Sequence, residues 1–304
     1  MAISRAQLVK ELEPGLNALF GLEYKRYDNQ HAEIYTNESS DRAFEEEVML
    51  SGFANAQVKG EGAGVSYDDA QETFTARYNH ETMALAFAIT EEAIEDNLYD
   101  RISSRYTKAL ARSMSNAKQV KAAAPLNNGL PAVDGFDSGD GVSLFNTAHT
   151  TVSGTNVSNT LTTQADLNET SLEQAMIDIS AMTDERGLRI AARALKMIVP
   201  PANQFNAERL MKSQGRTATA DNDLNAIASM GMLPQGYRIN NFLTDTDSFY
   251  IITDVPNGMK MFTRTPLTTA MEGDFDTGNV RYKARERYSF GVSDYRGIYG
   301  VEGA

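Results

Sequence analysis

The sequence predicts an α+β protein with extended segments that lie outside any compact core. Three observations carry this prediction: a polar hairpin pattern at residues 48–80, a very long helical pattern at 91–124, and a long alternating strand pattern at 279–295. At about 1.5 Å per residue the helix would extend for roughly 50 Å, several times the average for globular proteins. Such a helix needs a long partner surface, which strands of matching length provide.

Composition narrows the classes of function. The chain has 304 residues, of which 41% are apolar, and this content is sufficient for a core. The net charge of −13 argues against tight, sequence-independent binding to DNA. The absence of cysteine excludes disulfides and thiolate metal sites. The apolar run at 83–89 is too short for a membrane span, and the first residues lack the apolar region of a signal peptide. We therefore expect a soluble, intracellular protein with no membrane association.

The first 80 residues contain a helical pattern followed by a hairpin pattern. Residues 3–20 predict an amphipathic helix that Pro14 breaks or kinks. The segments AQVK (56–59) and ETFTARY (72–78) have extended character, and the glycines of GEGAG between them suit a tight turn. Because much of this hairpin is polar on both faces, we expect either a solvent-exposed flap or an arm that lies on a neighbouring subunit.

The strongest helical signal follows the hairpin. Thr90 is a good N-cap, and acidic residues fill the first turn after it, where they complement the helix dipole. Pro125 is expected to end the helix. Its apolar stripe recurs at spacings of three and four and consists of Ile94, Leu98, Ile102, Tyr106, Leu110, Met114, Ala117 and Val120.

The middle of the chain is rich in loops and contains two further helical patterns. Residues 169–187 predict a helix with a capping box formed by Thr170 and Glu173, and with Gly187 at its end. Residues 221–231 predict a short helix.

A strand pattern at residues 195–199 stops abruptly at Pro200 and Pro201. Proline donates no ladder hydrogen bond and favours extended geometry in the residue before it, so the strand must end there. Asn203 is then a suitable N-cap for a following helix, and Gly215 a suitable end. The last third of the chain predicts a strand at 249–254, a turn at 255–258 and the long strand at 279–295.

No group of residues has the specificity of an active site. His149 lies near Ser143 and Thr147 in the sequence, but no G-x-S-x-G motif accompanies them, so a loop-ordering role is the better interpretation. The acidic stretches at 221–223 and 274–278 lack the ligand order of a calcium loop and suit solvated turns. We expect no catalytic residues, no cofactor and no metal.

One strand face carries a concentration of positive charge. Alternation along RYKARER places Arg281, Lys283, Arg285 and Arg287 on the same side of the predicted strand. This pattern fits either a stripe that faces phosphate groups or a ladder of salt bridges between subunits.

Four stretches, in order along the chain, resemble the major capsid (head) proteins of tailed bacteriophages, which have the Hong Kong-type or Johnson fold. The match to the start of a long spine helix is AFAITEEAIEDNLYDRI (86–102). The stretches SLFNTAHT (143–150), LKMIVPPANQFNAERLMKS (195–213) and DTGNVRYKARERYSFGVSDYRGIYGVEGA (276–304) are similar to a branch that includes Mu-type head subunits.

The resemblance implies a domain organisation. It consists of an N-terminal arm (1–40), an extended β-hairpin loop (41–80), a peripheral domain (81–130 and 246–292) with spine helix 91–124, and an axial domain (131–245 and 293–304). The spine would pack on strands near 249–265 and 279–293, and the hairpin would lie over a neighbouring subunit. The residues expected at contacts between subunits are Lys59, Glu61, Tyr67, Arg77, Arg281, Lys283, Arg285 and Arg287.

The resemblance also implies function and partners. The chain would assemble with itself into pentamers and hexamers of an icosahedral head around double-stranded DNA, which it would approach only weakly. Assembly would take place in the host bacterial cytoplasm with a portal and a separate scaffolding protein, because the segment before the arm is too short for a scaffolding domain. A decoration protein is a further possible partner. The alternatives are an encapsulin-like nanocompartment shell and, from a different class, an acidic hydrolase that uses His149.

Overall fold

A computed structural model describes residues 5–95, 99–130, 133, 135–215, 223–274 and 278–304. The α-helices are α1 (Arg5–Arg26), α2 (Glu91–Glu95), α3 (Tyr99–Asn128), α4 (Glu169–Ala181), α5 (Gln204–Lys212) and α6 (Ala226–Met230). The strands are β1 (Thr36–Ser39), β2 (Phe44–Leu50), β3 (Glu72–Asn79), β4 (Glu81–Ile89), β5 (His149–Thr150), β6 (Asn156–Val157), β7 (Ala194–Val199), β8 (Tyr237–Ile239), β9 (Phe249–Thr253), β10 (Met259–Gly273), β11 (Val280–Val292) and β12 (Ile298–Val301).

Two four-stranded sheets organise the described residues. The long-strand sheet has the order β1-β10-β11-β4, and its central pair β10 and β11 is antiparallel. The core sheet has the order β12-β9-β7-β8. The strand predicted at 249–254 is confirmed as β9, but it pairs with β7 and β12. Of the region 249–265 that was expected to pack on the spine helix, β10 therefore lies in the long-strand sheet and β9 in the core sheet, where the Tyr250 hydroxyl donates to the Leu126 carbonyl of α3 at 3.2 Å. None of the described helices is both long and apolar enough to cross a membrane.

The core sheet holds the main hydrophobic core. Met197, Ile198 and Val199 on β7 are buried, as are Tyr250 and Ile251 on β9. Since each of these strands carries buried residues in succession, the sheet is covered on both faces. This explains why the 195–199 pattern is a continuous apolar run without alternation.

The chain leaves β7 at the two prolines, as predicted, but the helix that follows is capped differently. Pro201–Asn203 form one 3₁₀ turn before α5 begins. The Asn203 side chain caps nothing, because its Nδ2 donates to the carbonyl of Asp247 at 3.1 Å. Helix α5 ends at Lys212, so Gly215 is not its C-terminal stop.

Helices α1 and α3 cover the inner face of the long-strand sheet. Phe20 of α1, Leu110 and Met114 of α3, and Tyr282 and Ala284 of β11 form one buried cluster. The Tyr282 hydroxyl also donates to Oδ1 of Asn17, at 2.8 Å. The predicted packing of a long helix against the C-terminal strand is confirmed.

Both prolines that were expected to interrupt helices lie inside them. Helix α1 continues through Pro14 to Arg26, and α3 continues through Pro125 to Asn128. Pro125 sits in the last turn of α3, where only one intrahelical hydrogen bond is lost and burial against the core offsets that loss. Of the predicted helix 91–124, residues 96–98 lie outside the described residues.

The capping box predicted for α4 was two residues out of place. The capping box is formed by Asn168, which accepts from the Ser171 amide at 2.8 Å, and by Ser171, which accepts from the Asn168 amide at 3.0 Å. Thr170 and Glu173 do not form it. Gly187, with φ +82°, closes a later turn instead of the helix end. The predicted short helix is confirmed as α6, which ends at a left-handed Gly231.

Candidate intersubunit surfaces

Strands β2 and β3 form a two-stranded ribbon that confirms the predicted hairpin. Phe44 pairs with Asn79 and Val48 pairs with Thr75, so the strands are antiparallel. The inner face rests on the rest of the chain through Ala76 and Tyr78, both buried. The Tyr78 hydroxyl lies 2.5 Å from that of Ser293, at the end of β11.

Between these strands the chain forms a long loop, residues 51–71, which we call the hairpin loop. The predicted tight turn is present: the Ala63 amide donates to the Gly60 carbonyl at 3.1 Å, and Gly62 has φ +78°. The prediction of an extended pair beyond β2 was wrong, because residues 56–59 belong to no strand. Among the described residues nothing covers the side chains of residues 53–70: Val58 is 99% exposed and Tyr67 is 97% exposed. Lys59 and Glu61 are also exposed.

The base of the hairpin loop is fixed to the body of the protein. Asp68 accepts from the Ala54 amide at 2.6 Å, which joins the two limbs of the loop. The Arg186 guanidinium donates to the Asp69 carbonyl at 2.5 Å and lies 3.9 Å from the Asp68 carboxylate. Arg186 therefore connects the loop near its base to the body of the protein.

A buried ionic cluster lies next to this anchor, and no pattern in the sequence predicted it. The Arg296 side chain is 2% exposed and pairs with the carboxylates of Glu185 and Asp294, which are also buried. Its Nε donates to the Thr183 carbonyl at 2.9 Å. Burial raises the pKa of Asp294, and Arg296 opposes that rise. The cluster holds the loop before Arg186 rigidly against the 3₁₀ turn Tyr295–Gly297.

The basic residues of β11 lie on its outer face, as the alternation predicted. Arg281, Lys283 and Arg285 are exposed, Arg287 is half-buried, and the residues between them are buried against α1 and α3. Arg281 pairs with Asp274. In the described part of the chain Lys283 and Arg285 have no ion-pair partner. We call these four residues the basic stripe.

Small side chains flank the basic stripe. Lys283 pairs across the sheet with Ala86 of β4 on one side and with Ala270 of β10 on the other. Directly opposite residues share a face, so the long charged side chains stand in a shallow trough. At one end of it, small residues, the basic Arg281 and Lys283 and the acidic Glu272 and Asp274 line a depression with a volume of about 650 Å³.

Arg77 lies apart from the basic stripe, on the outer face of the β2–β3 ribbon. Its guanidinium carbon is 4.0 Å from the centre of the Phe44 ring, and Nη1 is 3.7 Å from the Glu46 carboxylate. Arg77 therefore already has partners within the chain. The structure does not bring the eight predicted contact residues together: it places three in the hairpin loop, one on the ribbon and four on the basic stripe.

His149 orders a loop, in agreement with the interpretation preferred from the sequence. Its side chain is fully buried, with Nδ1 2.6 Å from the Asp140 carboxylate and Nε2 3.1 Å from Oδ1 of Asn159. Burial would raise the pKa of Asp140, but hydrogen bonds from His149 and Ser138 outweigh it and lower that pKa. The Ser143 hydroxyl donates to a backbone carbonyl, that of Gly129, so it forms no triad with His149. Among the described residues no group of His, Asp and Glu could hold a metal ion.

Comparison with solved structures identifies the fold. The chain is similar to the capsid of an empty GTA particle, at 15% identity over 91% of both chains with a TM-score of 0.57. It is similar to the capsid of Myoviridae phage XM1, at 12% identity over 89% of both chains with a TM-score of 0.54. A procapsid subunit of bacteriophage JBD30 matches at 13% identity over 99% of this chain and 77% of its own, with a TM-score of 0.54. The fold is therefore that of phage-type capsid shells.

A family model gives the particular assignment. The model described as "Phage capsid protein" matches residues 44–301, so the chain belongs to that family. A search of curated proteins found no match. The protein is a structural major capsid protein, and its place is the virion capsid. The predicted family and fold class are confirmed, while the closer similarity to Mu-type head subunits stays a prediction.

Proposed function

We propose that this capsid protein assembles with itself into pentamers and hexamers of an icosahedral head that encloses double-stranded DNA. The observation that carries the proposal is the hairpin loop, which exposes Val58 and Tyr67 almost completely although a hydrogen bond from Arg186 connects its base to the body of the protein. Large apolar side chains that are exposed to water do not stabilise the isolated chain. Their burial under a second subunit would stabilise the assembly.

The basic stripe is the surface that we propose for this contact. Acidic residues outnumber basic ones in the ribbon and hairpin loop, and Glu61 stands at the exposed tip. On the stripe, Lys283 and Arg285 have no acidic partner among the described residues of their own chain. Charge complementarity thus favours a heterologous contact, in which the loop of one subunit lies on the long-strand sheet of the next and the repeated contact closes a ring.

We also propose that the two sheets belong to different parts of the capsid subunit. The long-strand sheet with α3 would form the peripheral part of each subunit, and the core sheet with α4 and α5 would form the axial part that points at the five-fold and six-fold vertices. Strand β9 would join the axial part, because it pairs with β7 and β12.

Partners other than the chain itself belong to this proposal. Scaffolding and portal proteins would act during assembly in the host cytoplasm, and a decoration protein could bind the finished shell. Packaged DNA would be enclosed without strong binding, since the net charge of the chain is −13. An encapsulin-like shell is less well supported, because the matching family model is that of phage capsid proteins. Catalysis has no support in the geometry around His149.

Cryo-electron microscopy of the purified protein tests the proposal. We expect closed shells, tubes or rings at high concentration, with or without a scaffolding partner. Only asymmetric monomers under all these conditions would overturn it. A double variant, Lys283→Glu with Arg285→Glu, is expected to abolish assembly.

The matched control, Lys108→Glu with Arg112→Glu, makes the same charge change on exposed residues of α3, which covers the opposite face of the sheet. We expect this control to assemble. Equal loss of assembly in both variants would show that net charge, and not the basic stripe, decides assembly.

A further inference from the structure

Strand β4 presents an unprotected edge. It is the last strand of the long-strand sheet and pairs only with β11 in the described part of the chain. Every second residue of such a strand directs its N–H and C=O groups away from the sheet. Thr82–Ile89 contain no proline and no charged residue, so none of the usual obstacles to pairing with another strand is present.

The opposite edge of the same sheet is protected. Strand β1 pairs with β10 at Lys260–Thr263. Beyond that point β10 carries Arg264 and Pro266, and proline donates no ladder hydrogen bond. The edge formed by β1 and β10 is protected against pairing with another strand, whereas the β4 edge is unpaired and uncharged. We therefore expect the β4 edge to pair with a strand from a partner.

The hairpin loop contains a segment whose backbone N–H and C=O groups are also unpaired among the described residues. Residues 55–59 make no backbone hydrogen bond to any other described residue, and they contain no proline and no charge before Lys59. Five residues are a typical strand length. Val58, a good strand former, has its side chain 99% exposed.

The partner segment must come from another subunit. The base of the hairpin loop is anchored at Arg186, next to the buried cluster that includes Asp294. Asp294 follows the C-terminal end of β11, whereas β4 pairs with the other part of that strand, Val280–Tyr288. The loop and the open edge therefore lie towards opposite ends of the long-strand sheet.

We propose that residues 55–59 of one subunit add as a fifth strand to the β4 edge of a neighbouring subunit. This inference rests on the proposed self-assembly and specifies how the hairpin loop is held: by main-chain hydrogen bonds at the edge, beside the basic stripe. Main-chain hydrogen bonds would supply the affinity of this contact. The exposed side chains of Ala84, Ala86 and Ala88 are small, so they leave room for the side chains of the added strand.

Hydrogen exchange measured on free subunits and on assembled particles tests the proposal. Amides in two segments, Thr82–Ala88 and residues 55–59, are expected to exchange about tenfold more slowly, or slower still, after assembly. Particles that form without protection in both segments would overturn the strand addition and leave the proposed function intact. If no particles form under any condition, the proposed function itself fails, and the strand addition fails with it.

Two adjacent proline substitutions provide a second test. Ala56→Pro and Gln57→Pro lie in a segment that makes no main-chain hydrogen bond with the described part of the chain, so both variants are expected to fold normally. In a strand only one of these two amides faces the β4 edge, so only one variant should lose assembly, by about tenfold in yield of particles. Ser66→Pro, in the other limb of the loop, is the matched control and should assemble. Equal effects of all three substitutions would contradict strand addition.

Discussion

The core sheet and the hairpin loop differ in whether their apolar side chains are buried within the subunit. In the core sheet Phe249, Tyr250 and Ile298 are completely buried by their own chain. In the hairpin loop Val58 and Tyr67 are almost completely exposed, although both regions are held in defined positions. If the hairpin loop contacts a neighbouring subunit as proposed, the stability of the subunit and the stability of the shell depend on separate segments. Substitutions in the first should weaken folding, and substitutions in the second should weaken assembly alone.

The largest loss of folding stability is expected from Arg296→Ala. This change leaves Glu185 and Asp294 buried without their cation, which costs about 3–5 kcal/mol in comparable cases. Urea denaturation of unassembled subunits measures the change in the free energy of unfolding. Arg238→Ala is the control, because its pairing with Glu33 is half-exposed and contributes about 1 kcal/mol or less. Similar losses for the two variants would show that the buried cluster contributes little to folding.

The next effect depends on pH. Burial, together with the charge of Lys118, lowers the pKa of His31 from 6.5 to about 4. The folded state therefore excludes a proton that the unfolded state binds below pH 6.5, and folding stability is lost as pH falls from there towards 4. His31→Gln should remove part of this loss. We expect a smaller difference in unfolding free energy between pH ~7 and ~4.5 for the variant than for the original chain.

An unchanged pH dependence in the His31 variant would mean that other groups cause the loss of folding stability at low pH. The first group to test would then be His80, whose pKa is also lowered, chiefly by burial.

A smaller effect distinguishes the observed helix cap from the predicted one. Asn168→Ala removes the hydrogen bond to the Ser171 amide and should cost about 1 kcal/mol of unfolding free energy. Thr170→Ala, at the position that the sequence favoured, should change stability by about 0.5 kcal/mol or less. Thermal or urea denaturation of the two variants compares them directly. A larger loss for Thr170→Ala would reverse the assignment of the cap.

The elements with strong periodicity could be predicted from sequence, and their ends could not. The alternation in β11 located the basic stripe correctly, and the apolar run before Pro200 located β7. The helix ends predicted at Pro14 and Pro125 were wrong, because tertiary packing outweighs the loss of a single helical hydrogen bond. The α4 cap was misplaced because Asn168 and Thr170 are both good capping residues by composition.

The elements that depend on distant contacts left no signal in the sequence. Arg296 and Glu185 are 111 positions apart, and neither lies in a periodic pattern. The sheet to which β9 belongs is decided by its pairing with β7 and β12, which local sequence does not specify. The open edge of β4 likewise became evident only from the order of the strands.

The smallest effect on folding, and a large one on assembly, is expected from Tyr67→Ser. The Tyr67 side chain is 97% exposed, so its removal should change the unfolding free energy of the free subunit by about 0.5 kcal/mol or less. If a neighbouring subunit covers the ring, each contact in the shell loses about 2 kcal/mol or more, and the loss is repeated at every interface. Particle yield by sedimentation, beside urea denaturation of free subunits, separates the two quantities. A matched Tyr106→Ser variant changes a half-exposed tyrosine of α3 that packs on Phe87, so it should weaken folding more than Tyr67→Ser does. Normal particle yield from the Tyr67 variant would mean that the hairpin loop lies uncovered in the shell, and the distinction drawn between the two regions would then fail.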